Sequence, residues 1–572
     1  MHLSKISFPF FAGALMLLHV GLCAETSEHP NILFIAVDDL RPELGAYGVE
    51  EVISPNIDRL ASQGTLFSQA YCQVPVCGAS RASLMTGLYP TPDRFVTYHS
   101  RADEDAPGIV DLPGWLKKYG YQTISHGKIY HNRDDNKPSW DEIDRTKNFR
   151  VYLLPENANL PNGKQPAYES ADVPDNAYPT GQMTVRIIDD LRQAKKDGTP
   201  FFIAAGYTKP HLPFNAPKKY WDLYDHESIE LADNPFAPKG APRQAIHQWQ
   251  ELRNGYGGIP KSGPLPDELA RTLIHGYRAA VSYTDAMIGQ VLAELDRLEM
   301  RENTIVILWG DHGWQLGEHS LWCKHALFDT SLNAPLIISA PGMKEEQRTS
   351  SLVEFVDIFP TLCELAGLKM PGHLQGTSLV PLLKNDELVL KRAAFSRYHG
   401  GEAVRTERFL YAEWSGGARM LYDQSIDPDQ NINVAENSEY KEVVAKLSAV
   451  LKAHRTEVKN SDPLLEISAK EKGSVNQAPK WKRGTFKLKD ATVGEDYVSY
   501  VNWAATDKEE DALEYALLSG PDWLSMTNSK YGKVEGTPSA EDLGTNEFVV
   551  SVSDGQNSPV TANLKIAVIP AN

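Results

Sequence analysis

Residues 32–37 form an unbroken apolar run that stops abruptly at Asp38 and Asp39. The run at 304–309 stops in the same way at Gly310-Asp311-His312-Gly313. The run at 201–205 gives way to Gly206-Tyr207-Thr208-Lys209-Pro210-His211, and residues 121–125 lead into His126-Gly127-Lys128, with His131 close behind. Short apolar runs of this kind predict strands buried on both faces, as in a parallel sheet. Amphipathic spacing at 184–194 and 269–298 predicts helices that cover such a sheet. The alternation of the two through about the first 370 residues predicts an α/β fold, a large mainly parallel sheet sandwiched by helices. This α/β domain is expected over residues 25–372.

The pattern then changes. Residues 373–465 carry short strands near 403–414 and a polar helix around 440–454, which predicts a small antiparallel C-terminal subdomain. Residues 466–477 are polar and read as a linker. Residues 547–551 and 563–568 alternate apolar with polar, placing Leu564, Ile566 and Val568 on one face. A β-sandwich tail over 478–572 is expected. Its Trp523, Gly536-Thr537-Pro538 and Ser553-Asp554-Gly555 resemble the cadherin-like or immunoglobulin-like modules of bacterial proteins. At the other end, Lys5, an apolar core at 8–20 and small residues up to Ala24 read as a signal peptide over residues 1–24, implying export to a periplasm or the cell exterior. That apolar core is too short for a comfortable membrane span, and no later segment approaches one.

A formal net charge of −18 opposes general attraction to nucleic acid or any polyanion, so an anionic substrate must be drawn by charge inside a pocket. Of five cysteines, Cys23 lies in the leader and Cys77 in a motif of its own. Cys72, Cys323 and Cys363 remain, with no zinc-type spacing and no even-numbered disulfide framework.

The strand ends concentrate chemistry where open α/β sheets bind ligands. Asp38, Asp39 and Asp311 offer hard oxygen ligands suited to a calcium- or magnesium-type cation, and His312 adds a nitrogen. Cys77 stands just ahead of Ser80 and Arg81 at a predicted helix start, where backbone N–H groups favour negative charge. Arg81, Lys128 and Lys324 can clamp a tetrahedral anion, while His131 and His211 can move protons near neutral pH.

The run Cys77-Gly78-Ala79-Ser80-Arg81 resembles the sulfatase signature Cys-x-Pro/Ala-x-Arg. The segments at 31–39, 54–60, 127–131, 209–214, 310–319 and 321–324 are similar to the iduronate 2-sulfatase branch of that family, and the likeness extends to about Ala435. The resemblance implies the alkaline-phosphatase-like sandwich and a sulfuric ester hydrolase. It implies that a maturase oxidises Cys77 to formylglycine (3-oxoalanine), and the alanine at 79 resembles sequences accepted by the radical-based maturase. One divalent cation, Ca2+, is implied on Asp38, Asp39, Asp311, His312 and the modified Cys77, with Lys128, His131, His211 and Lys324 in the sulfate pocket and Trp314 beside them as a substrate contact. In such an enzyme one hydroxyl of the hydrated aldehyde attacks sulfur and the other, deprotonated by a base such as His131, re-forms the aldehyde and expels sulfate; His211 is the acid for the departing sugar alcohol. The substrate class implied is a sulfated carbohydrate, a sulfated uronate or related polysaccharide unit. Two alternatives remain open: a phosphodiester or phosphonate monoester hydrolase of the same superfamily, and a non-catalytic glycan-binding protein.

Overall fold

The structure is a computed structural model that describes residues 29–144, 151–464, 477–508 and 513–571. The expected signal peptide and all but the last residue of the expected linker lie outside the described residues. The chain divides into two compact units, Met1–Ser461 and Asp462–Asn572. Among the described residues no helix is long and apolar enough to cross a membrane.

The first unit is built on an eight-stranded sheet. Its strands run in the spatial order Gln347–Thr349, Thr65–Phe67, Leu336–Ser339, Thr304–Gly310, Asn31–Val37, Phe201–Tyr207, Gln122–Gly127 and Glu142–Asp144. Only Leu336–Ser339 runs against its neighbours; every other pairing is parallel. The apolar runs become central strands because both faces are covered: Phe201–Tyr207 and Thr304–Gly310 are buried at every position. Helices Pro179–Asp197 and Asp267–Arg297 supply part of that cover, each turning a buried stripe that includes Ile187 and Leu191 in one and Leu273, Tyr277 and Ile288 in the other.

Register does the positioning. Val37 lies level with Tyr207 on one side and Gly310 on the other, and Gly206 is level with Gly127. The residues that leave these strands, Asp38, Thr208, Asp311 and Lys128, therefore emerge side by side at one edge of the sheet.

The antiparallel subdomain forms as expected, as a four-stranded sheet over Ala394–Tyr398, Gly401–Arg405, Phe409–Trp414 and Arg419–Asp423. Period-two alternation splits its two faces. Ala403, Leu410, Ala412, Met420 and Tyr422 join the main core, while Val404, Tyr411 and Leu421 pack with Val444, Leu447 and Leu451 of helix Lys441–Asn460.

In the second unit the long strands Gly544–Ser553 and Val560–Ile569 pair antiparallel. Leu564, Ile566 and Val568 all face its separate core beside Phe548, Val550 and Val552. A second sheet of Tyr497–Tyr500, Lys533–Gly536 and Leu524–Asn528 completes an Ig-like sandwich.

Candidate active site

Cys77 is the first residue of helix Cys77–Thr86, all ten residues of which are buried. The helix start lies so close to the 97–100 turn that a Cβ on Gly78 would sit 2.2 Å from the Tyr98 carbonyl oxygen, so only glycine fits there. Burial alone raises the thiol pKa, yet the ammonium groups of Lys128 and Lys324 and a hydrogen bond with His131 bring it well below the ordinary value.

One ligand atom from each of Asp38, Cys77, Asp311 and His312 lies within 4.8 Å of the others, all four residues being buried. Asp39 adopts the left-handed region (φ 59°), and its N–H donates to Asp311 Oδ1 at 3.0 Å. His312 Nδ1 meets the Gly313 carbonyl at 3.0 Å, so Nε2 faces the cluster, 3.6 Å from both Asp39 Oδ1 and Asp311 Oδ1. Neither His312 Nε2 nor Asp39 Oδ2 has a hydrogen-bond partner among the described residues. Burial, only partly offset by His211 and Lys324, pushes Asp39 up to about 7. Three buried carboxylates and an imidazole nitrogen aimed inward, two of whose atoms are otherwise unpartnered among the described residues, are what a resident hard cation would satisfy, and the residues fit one.

Basic groups ring the cluster. Lys128 Nζ donates to Asp38 Oδ2 at 2.6 Å, and Lys324 Nζ to Asp39 Oδ1 at 2.9 Å. Lys324 is held between Cys323 and His325, both in left-handed backbone at φ 74° and 73°, strain that the surrounding hairpin must hold in place. His211 lies with Nε2 3.8 Å from Asp39 Oδ2, its Nδ1 against the Leu212 carbonyl at 2.7 Å.

Two sequence expectations change. Arg81 is fully buried and its fork is already occupied: Nε donates to Asp311 Oδ2 at 2.9 Å, one terminal nitrogen to Asp38 Oδ1 at 3.2 Å, and the other to the Lys128 and Ile129 carbonyls. With four of its five N–H groups engaged, it organises the carboxylates more than it clamps an anion. Trp314 is 1% exposed and lies under the Lys324 ammonium at 5.0 Å, so it supports that lysine from behind and presents no surface to substrate.

Sequence reasoning missed Glu251. It sits on the short helix Gln250–Gly255, far in the chain from every motif, and its Oε1 accepts from His211 Nε2 and Lys324 Nζ at 3.0 Å each. An isolated glutamate in a polar stretch gives no periodic or spacing signal that would have singled it out.

Residues 30–368 match the family model described as Sulfatase, residues 317–457 that described as N-sulphoglucosamine sulphohydrolase, C-terminal, and residues 476–567 that described as Bacterial Ig domain. The iduronate 2-sulfatase of Homo sapiens is 35% identical over 413 residues, which is 65% of this chain and 75% of that one. A protein named Sulfatase from Formosa agariphila is 31% identical over 490 residues, 79% of this chain and 92% of that one. In fold the chain is like the solved phosphonate monoester hydrolase of Agrobacterium radiobacter, with a TM-score of 0.63 at 24% identity over 75% of this chain and 96% of that one.

Proposed function

The chain belongs to the sulfatase family of sulfuric ester hydrolases, and on that premise we propose that it is an exported enzyme removing a sulfate ester from a carbohydrate, with formylglycine made from Cys77 and one calcium ion. The observation that carries the reading is a cysteine at a buried helix start, flanked by Lys128, Lys324 and His131 and set against the inward-facing Asp38, Asp311 and His312. The likeness to iduronate 2-sulfatase favours a sulfate ester over a phosphoryl one, and the full set of pocket residues favours catalysis over binding alone.

In this reading Asp38, Asp39, Asp311, His312 and the modified Cys77 would hold the calcium ion, which would supply Lewis acidity, and the formylglycine would supply an oxygen nucleophile. The remaining work falls to the chain's own side chains. Lys128 and Lys324 neutralise charge on the sulfuryl oxygens, a role suited to ammonium groups fixed in a water-poor site. As the S–O bond to the sugar breaks, His211 gives the departing alcohol oxygen the Nε2 proton that it otherwise holds against Glu251 Oε1. His131, whose Nδ1 has no hydrogen-bond partner among the described residues, is beside Cys77 and suited to accept a proton. Arg81 keeps Asp38 and Asp311 turned toward the cation.

The test is mass spectrometry of the Cys77 peptide from protein co-produced with a formylglycine-forming maturase, paired with assay of sulfate release. The expected result is loss of the sulfur and an aldehyde that reacts with hydrazine reagents. Cys77→Ala should fold and release no sulfate; normal turnover by that variant would sink the mechanism.

A further inference from the structure

A cavity of roughly 360 Å3 joins the sulfate-facing Lys128, His131 and His211 to two side chains that the proposed chemistry leaves idle, Arg133 and Asn215. No aspartate or glutamate is among the described residues that line it, although the chain as a whole carries a net charge of −18. Arg133 is exposed and makes no ion pair or hydrogen bond among the described residues. Its acidic neighbour Asp134 is already taken by Arg101 at 2.7 Å. The fifth basic group, Lys209, is engaged: its ammonium donates to the His211 and Pro213 carbonyls at 2.6 and 2.5 Å.

Asn215 differs from Arg133 in being sealed off, at 1% exposed. Its amide nitrogen donates to the Val151 carbonyl at 2.8 Å, while its Oδ1 has no hydrogen-bond partner among the described residues. A buried acceptor left without a donor in a cavity wall is a place for a ligand hydroxyl. Tyr130, Met183 and Leu212 supply the apolar part of the lining. The size is near the lower end of ligand pockets, about 300–1,000 Å3, which suits one substituted sugar ring.

We propose that this cavity is a subsite for a second anionic group on the sulfated sugar, held by Arg133, with a neighbouring hydroxyl donating to Asn215 Oδ1. The inference rests on the sulfatase reading and narrows its substrate class. A second anion needs its own counter-charge, because in the proposed reading Lys128 and His131, set beside Cys77, serve the sulfate that is to be cleaved. A guanidinium free of other partners is the side chain best shaped to grip a carboxylate or sulfate through two parallel bonds. The shared chemistry is an anionic group with two or three oxygens, and the substrate series below separates a carboxylate from a second sulfate.

Aldehyde-bearing enzyme would be assayed on four esters: 4-nitrophenyl sulfate, a monosulfated neutral monosaccharide, the same sulfated ring carrying a carboxylate, and the same ring carrying a second sulfate. The expected result is a kcat/KM at least about tenfold higher for one of the two dianionic sugars than for the neutral one. In Arg133→Gln that ratio should fall about tenfold or more, mainly through KM, and Arg133→Lys should restore part of it. Asn215→Ala should weaken both sugars while sparing 4-nitrophenyl sulfate, which has no hydroxyl to offer. Equal rates on neutral and dianionic sugars, or an Arg133→Gln loss equal on both, would overturn the subsite and leave the sulfatase reading standing. No sulfate release from any of the four would overturn that reading as well.

Discussion

Replacing Glu251 with glutamine tests whether the residue missed in the sequence holds the working geometry. One carboxylate oxygen accepts from both His211 Nε2 and Lys324 Nζ at 3.0 Å, and the glutamate side chain is 22% exposed. At an effective dielectric constant of about 20, unit charges about 3 Å apart attract by about 5 kcal/mol before desolvation is counted. Breaking a buried pair costs about 3–5 kcal/mol. Lys324 keeps Asp39 at 2.9 Å, and glutamine preserves shape and one acceptor, so a loss of about 2–3 kcal/mol is expected. Part of this should appear as a lower melting temperature. The rest should appear as misplacement of His211 and Lys324, lowering kcat about 10- to 100-fold with a smaller change in KM. Steady-state sulfate release and thermal unfolding of wild type, Glu251→Gln and Glu251→Asp would separate the two, with the aspartate variant recovering part of kcat. A variant that melts earlier but keeps its kcat would reduce Glu251 to a structural residue. A lower KM at unchanged kcat would show that its charge only repels the anionic substrate, and either result refutes the reasoning.

Gly78→Ala should displace the helix start or the 97–100 turn, because the clash is with the Tyr98 backbone oxygen; a destabilisation of about 1–3 kcal/mol in urea and at least tenfold slower sulfate release are expected. Wild-type stability in that assay would contradict the close approach. His126 is 1% exposed between Asp144 (3.2 Å) and Asp190 (2.5 Å). Burial disfavours its charge, but the two carboxylates raise its pKa above 6.5. The folded pKa lies above the unfolded one, so the stabilisation is complete below about pH 6.5 and is lost as pH rises through the raised value. The stability deficit of His126→Gln should therefore be largest near pH 6 and shrink toward pH 9, and a pH-independent deficit would refute the ion pairing. Chelation should lower the melting temperature and calcium restore it, since a ligand present at about 100 times its Kd stabilises by about 2.7 kcal/mol. Identical melting with and without chelator would rule out a resident cation on Asp38, Asp311 and His312.

Much of this molecule is written in local pattern. The apolar runs around Phe34, Ile203 and Ile307 become central strands because nothing but a doubly covered sheet can bury both of their faces. The alternation through Leu564, Ile566 and Val568 likewise admits only one buried face. The polar groups that follow the strands are legible as a site for the same reason, since strand ends in a parallel sheet fall together. Cys77, Asp38, Asp39, Asp311 and His312 were named from the sequence and its resemblance, and the fold brings their ligand atoms into two overlapping clusters with His211.

What the sequence could not assign is which partner each long side chain takes. Arg81 belongs to the signature run, but only packing shows its fork filled by Asp311, Asp38 and two carbonyls. Trp314 follows the Asp311-His312 motif closely, yet it is sealed beneath Lys324. Glu251 comes from a segment with no periodicity, brought to the site by chain that carries no local instruction, and Arg133, two residues beyond His131, is picked out only by the cavity it lines. The sequence alone thus determined the strands, the sandwich tail and the residue types gathered at the sheet edge, because hydrophobic periodicity is a local property. Tertiary structure decided which charges are spent on one another and which are left for a substrate, because burial and distance belong to the whole fold.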